Sequence, residues 1–410
     1  MNSRERLRAA LNHQTTDRIP ADFCGTGVTG ISASALYPLR QCLEIALPVR
    51  VYDVYASLAE IDELLAEALG SDTLRLPTPQ PLLDIQCLSE DSKKRWKSYA
   101  LEDGTPILVP CDFYPEREYN GDLCIRDLSD KRFALLPRGG FQFSVIATGV
   151  GAAKWTPEQI QAEVEARNPA VGFPRGAAYW NLLRCVAEPL AKSSGKALVM
   201  DANPFSPFFA GLGRHALSTW LELLAADDAN ANAVLDLWLR RWLEELEKLA
   251  ESVGDAVDVL VLSDDFSVVA MQEDEMVILQ KILPRYAEGI SFLREKCVSA
   301  KILWQSAGNV LPYIPTLLSM GVDALGLVDL SFRNLNVFSI KREFGRDLAL
   351  WGGACSAEDL ETLSVDLVLD RTREAVDVLS EGGGYVHSVS GNILPGTRPD
   401  KVLTFFSRWG

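Results

Sequence analysis

The sequence predicts an α/β protein, a (β/α)8 TIM barrel with a β-rich insertion in its N-terminal half. Three observations carry this. The stretch Lys301–Asp329, KILWQSAGNVLPYIPTLLSMGVDALGLVD, reads as strand, polar turn, helix, glycine stop and second strand. Its crossover is too long for a hairpin and suits parallel strands. Eight apolar segments, at 19–24, 73–76, 197–200, 258–262, 301–304, 324–328, 348–351 and 385–389, have strand character, and most precede a helical pattern. Eight such units favour a closed barrel over an open sheet. Finally, 410 residues, 48% of them hydrophobic, can build one large barrel, here taken as a single domain over 1–410 with the insertion at 90–145.

In chain order, Ser3–Asn12 is a charged amphipathic helix. Ile19–Cys24 is the first strand, followed by a turn rich in glycine (Gly25, Gly27, Gly30). A helix follows near Ala33–Ile45. Leu58, Ile61, Leu65 and Leu69 recur at helical spacing up to Gly70. Trp96–Phe143 has short alternating segments separated by Asp103-Gly104 and Asn120-Gly121, both hairpin dipeptides. Thr156-Pro157-Glu158-Gln159 has the form of a helix start. Further helices are expected near Gly176–Ala191, Ala231–Ser252, Asp274–Lys296, Val310–Met320 and Ser356–Leu379, with a last one from Arg398.

Composition excludes several functions. The formal net charge is −16, which disfavours nucleic acid as a partner. No run of 18 apolar residues marks a membrane span, and the charged N-terminus has no signal core, so a soluble cytoplasmic protein is expected. Eight cysteines without a CxxC pair are expected to be mostly reduced. There are only three histidines. No GxGxxG opens a helix after a strand and no Walker A sequence occurs, which argues against dinucleotide and P-loop sites.

Chemistry in parallel barrels sits at the carboxyl ends of strands. Those ends supply the candidates. Asp264 and Asp265 close one strand, with Asp265 the preferred proton acceptor or donor. Gln305 and Ser306 lie in the turn after Trp304. His387 is the acid/base candidate if it faces the axis and is structural if it faces the helices. Asp201, Asn203 and Asn392 could orient a substrate. Cys24 and Cys355 are either mouth residues or small buried hydrophobes.

Several pieces, in this order and spacing, resemble the uroporphyrinogen decarboxylase superfamily. They are SRERLRAALNHQTTDRIPADF, VYDVYASLAEIDELLAEALGSD, LPRGGFQF, VGDAVDVLVLSDDF, LPRY, the Lys301 stretch, KREFGRDLALWGG and EGGGYVHSVSGNILPGTRPDKV. The likeness is closer to the corrinoid-linked methyltransferase-like branch than to the decarboxylase itself. It implies a barrel enzyme that moves a methyl group between a small methylated substrate and cobalamin on a partner protein. The branch usually holds zinc through His-x-Cys and a later Cys. This chain has Gln305-Ser306-Ala307 at the first pair and about Gly391 at the last. Zinc by those ligands is therefore not expected; a replacement set would have to come from Cys24, Cys355, Asp264, Asp265 and His387. The decarboxylase's arginines after the first strand are also missing from Ala21–Gly27. The alternatives are a decarboxylase or lyase on a small molecule, or a non-catalytic paralogue.

Overall fold

A computed structural model describes residues 1–76, 96–126, 130, 132–145, 176–203, 217–267, 272–331 and 335–407. Seven parallel strands lie in the order Tyr385–Val386, Ala349–Gly352, Ala324–Leu327, Lys301–Ala307, Val259–Asp265, Ala197–Asp201 and Thr73–Arg75. The segment around Ala21 is the eighth stave. His387 donates its backbone N–H to Pro20 and accepts from Asp22, both at 2.8 Å, while Asp72 donates to the Ala21 carbonyl at 2.7 Å. Ala21 thus bridges the first and last strands of the sheet, and the barrel closes.

Alternation along each strand sorts side chains into two layers. Ala197, Val199, Val259, Val261, Leu303, Ala324, Ala349, Trp351 and Val386 form the inner core. Met200, Leu260, Leu262, Trp304, Leu325, Leu350 and Tyr385 pack outward against the helices. Both layers are apolar, as expected for parallel strands buried on two faces. The N-terminal helix Ser3–Leu11 closes the bottom of the barrel. Its Leu7 and Leu11 belong to the inner core. Arg4 and Arg8 bind Asp258, and Arg6 binds the fully buried Asp72.

The Lys301 strand is longer than its apolar residues suggest. Gln305, Ser306 and Ala307 pair with Ser263, Asp264 and Asp265, so they are strand and not turn. The turn begins at Gly308, where φ is +84° and a Cβ would lie 2.6 Å from the Phe266 backbone. Only glycine fits there. The expected helix from Leu58 is also revised. Leu58–Ala59 pairs antiparallel with Val51–Asp53, and the helix is only Glu63–Ala68, started by Asp62 accepting from the Leu65 N–H. The Asp274–Lys296 helix contains a π turn at Ile278–Ile282 next to Pro284. Proline has no N–H to continue the regular ladder. Ser364 starts a new helix, Val365–Leu379, after Ala357–Thr362. The expected start at Thr156 lies outside the described residues.

The insertion stretch holds two antiparallel sheets, one of Trp96–Ala100 with Pro106–Pro110, and one of four short strands between Glu116 and Val145. Gly104 and Gly121 make their turns at positive φ. Phe143 joins this unit to the barrel side by donating to the Tyr55 carbonyl at 2.7 Å. Among the described residues six cysteines are free and Cys111 is disulfide-bonded. No described helix is long and apolar enough to cross a membrane.

Candidate functional site

Inward positions at the carboxyl ends of the strands define the site. The deepest is Asp22, which is fully buried. Oδ1 accepts from the Gly25 N–H at 2.8 Å and from Thr73 Oγ1 at 2.5 Å. Oδ2 accepts from Trp351 Nε1 at 2.7 Å, Thr29 Oγ1 at 3.0 Å and Ser388 Oγ at 3.2 Å. Five neutral donors from four parts of the chain converge on one carboxylate. Such an anion is satisfied and immobile, and it fixes the closure of the barrel.

Above it, Arg75 lies on the same face of its strand as Thr73. Its Nη2 donates to Asp201 Oδ2 at 2.6 Å, and its guanidinium carbon lies 4.1 Å from the centre of the Tyr52 ring. Burial opposes its charge, but Tyr52, Asp201 and Asp53 together carry the net shift upward, so the group stays a cation. Nη1 of Arg75 and the hydroxyl of Tyr52 are buried without a hydrogen-bond partner among the described residues. Sequence reasoning missed both residues. The available signal was a lone charge in the strand Thr73-Leu74-Arg75, two positions from an inward threonine.

Gln305 is the second unsatisfied group. It follows Leu303 on the inner face and is 1% exposed. Among the described residues neither its Oε1 nor its Nε2 has a partner. The adjacent strand offers Gly326, where a Cβ would lie 2.5 Å from Gln305 Cγ. Glycine is what lets the glutamine lie across the wall. Asp265 also follows the inner-face parity of Val259 and Val261. One of its oxygens, Oδ1, accepts from the Ser267 N–H at 2.9 Å and from Ser267 Oγ at 2.6 Å. It therefore shapes the turn it begins as well as facing the mouth.

The other candidates lie elsewhere. Asp264 points outward, where Tyr286 donates to its Oδ2 at 3.1 Å. Asn203 clamps the next strand: its Nδ2 donates to the Ser263 carbonyl at 2.6 Å and its Oδ1 accepts from the Ser263 N–H at 2.7 Å. Ser306 shares the outward parity of Trp304, and its Oγ donates to the Ala307 carbonyl at 3.0 Å. Asn392 accepts from the Gly30 N–H at 2.7 Å and ties two loops together. Cys24 belongs to the outer core, and burial, with Asp22 adding, pushes its thiol well above the ordinary range. Cys355 packs beside Thr372, and burial raises its thiol to about 11. Burial favours the neutral thiol in both, which speaks against the nucleophile reading.

His387 faces the helices and not the axis. Its ring stacks on Phe405 with centroids 4.3 Å apart, and Nε2 lies 2.9 Å from the Phe405 carbonyl. That contact assigns the proton to Nε2 in a neutral ring. Burial lowers its pKa to about 4. The unfolded chain binds this proton near pH 6.5 and the folded chain only near 4. Stability is therefore complete above pH 6.5 and falls as pH drops toward 4, by about 3 kcal/mol from this group. His387→Gln should flatten that part of a urea-stability profile measured from pH 7 to 4. His13, whose pKa burial also lowers, keeps its own share.

These positions do not fit a zinc ion. Gln305, Ala307 and Gly391 offer no thiolate or imidazole, and the replacement candidates face separate parts of the outer layer or, for Asp265, the mouth alone. Among the described residues no three His, Cys, Asp or Glu side chains converge.

No family profile and no curated protein matches the chain. Among solved structures it is similar to a methyltransferase from Methanosarcina mazei, at 16% identity and a TM-score of 0.56, over 99% of this chain and 97% of that one. A D-psicose 3-epimerase from Clostridium cellulolyticum H10 matches 57% of the chain at 11% identity and a TM-score of 0.32. The first likeness establishes a shared barrel over the whole length. The second is too loose to carry an argument.

Proposed function

We propose that this barrel is a methyltransferase of the uroporphyrinogen-decarboxylase-like kind, moving a methyl group between a small methylated substrate and a corrinoid on a separate protein. The observation that carries the reading is Gln305. It is a buried amide with no partner among the described residues, on the inner wall of a fold shared end to end with a methyltransferase. Unpaired buried polar groups cost folding energy, so they persist where a ligand completes them.

The corrinoid would supply the nucleophile, and everything else falls to this chain's residues. When a methyl group leaves an ammonium or sulfonium donor, the electrons of the broken C–X bond stay on X. The leaving group is then neutral and needs no proton. A mouth whose histidine is withdrawn and whose Asp265 is engaged by Ser267 suits that chemistry better than transfer from an ether. Gln305 and Arg75 would orient the donor, and the barrel wall would exclude water from the methyl carbon.

The test is to mix the protein with reduced cobalamin and N-, S- and O-methyl donors and follow the corrin absorption spectrum. Alkylation with onium donors is expected. An unchanged spectrum with every donor overturns the reading. Arg75, as a carboxylate anchor, favours a second reading, a decarboxylase or lyase; carbon dioxide release without any corrinoid would establish it.

A further inference from the structure

We infer that Arg75, Asp201 and Tyr52 form a subsite for a zwitterionic head group: a substrate carboxylate on Arg75 and an adjacent methylated ammonium against Asp201. The inference names the substrate class for the proposed methyl transfer and rests on that reading only for the reaction, not for binding.

The Arg75–Asp201 pair is half used. A guanidinium and a carboxylate that meet face to face make two parallel hydrogen bonds. Among the described residues a single contact, Nη2 to Oδ2, is made, and Nη1 is left without an acceptor. The geometry is nonetheless held. Tyr52 lies under the guanidinium at 4.1 Å, and the glycine turn lies against the pair, with a Cβ on Gly27 falling 3.7–3.9 Å from Asp201 Oδ2 and both Arg75 Nη atoms. Side-chain exposures of 15% for Arg75 and 28% for Asp201 leave part of the pair accessible, with Nη1 itself on the buried side. A cation and an anion side by side, each with bonding capacity left, complement a ligand carrying both charges at the same spacing.

Charge balance decides between ligand classes. Asp201 and Asp53 both act on Arg75, so the cation does not stand in an excess of positive charge. A simple anion would gain Arg75 and be repelled by two carboxylates. A simple cation would gain the carboxylates and leave Nη1 unpaired. A zwitterion satisfies both partners, and its ammonium is the onium donor from which a methyl group leaves without a proton.

Three probes of matched shape test this by calorimetry on the intact protein. They are glycine betaine, its uncharged-carbon isostere 3,3-dimethylbutyrate, and choline. Betaine should bind at least tenfold more tightly than either of the others. Asp201→Asn should weaken betaine and strengthen 3,3-dimethylbutyrate, a reversal that a merely unfolded variant cannot give. Arg75→Lys should weaken betaine and 3,3-dimethylbutyrate and spare choline. Equal affinities for betaine and its isostere, affinities that ignore both variants, or no binding of any probe would overturn the subsite. Betaine binding without corrin alkylation would keep the subsite and overturn the methyl transfer.

Discussion

Asp72→Ala should cost the protein about 3–5 kcal/mol, the range for removing one partner from a buried ion pair. Asp72 is fully buried and accepts four hydrogen bonds. Arg6 Nη1 reaches it at 2.6 Å, Arg18 Nη1 and Nη2 at 2.7 and 2.9 Å, and the Ala21 N–H at 3.0 Å. The carboxylate therefore joins the N-terminal helix, the loop after it and the stave that closes the barrel. Alanine leaves two guanidinium groups and an amide facing a void. Urea midpoints for the variant measure the loss. The double variant Asp72→Ala/Arg6→Ala should recover part of it, because one stranded charge is gone. A single-variant loss below about 1 kcal/mol would mean that both arginines relax into solvent and that the pair is worth no more than a surface contact. Asp17, the other partner of Arg6, is exposed and should matter far less.

This network also shows what the sequence could reveal. The eight staves were legible because each is a short apolar run and most precede a helix, a pattern set by burial on both faces. The first was legible as a strand although its sheet pairing is only a bridge at Ala21. Which way a side chain points was not. Where both faces are buried, hydrophobicity does not fix parity. His387 follows Val386, which is inner, and so turns outward to a carbonyl that only the folded C-terminal helix provides. The same parity, counted from Leu303, places Gln305 inside and Trp304 and Ser306 outside. That count was hidden because the polar residues after Trp304 looked like a turn. They are strand because Ser263–Asp265 run alongside and pair with them. Asp265 was the favoured member of its pair, and counting from Val259 and Val261 gives it the inner face. Arg75 escaped notice because its partners, Tyr52 and Asp201, are distant in sequence.

Gln305→Met should make the protein more stable and less active. Methionine has nearly the volume and the flexibility of glutamine, so the space beside Gly326 stays filled. What disappears is an amide whose donor and acceptor are both buried and unpaired among the described residues. Removing that penalty should raise stability by about 1–3 kcal/mol, read from urea midpoints. If the amide is completed by substrate, turnover in the corrin assay should fall about 100-fold, the cost of losing one positioned donor. The two readouts separate three cases. A variant that is more stable and inactive marks Gln305 as part of the site. One that is more stable and fully active shows that the residue is a relic of a repacked metal position. One that is less stable shows that the amide already has a partner in the free protein. Gly326→Ala attacks the same group from the other side, since its Cβ would sit 2.5 Å from Gln305 Cγ and force the amide off the wall. If Gln305 works only where that glycine lets it lie, this variant should lose turnover without the gain in stability.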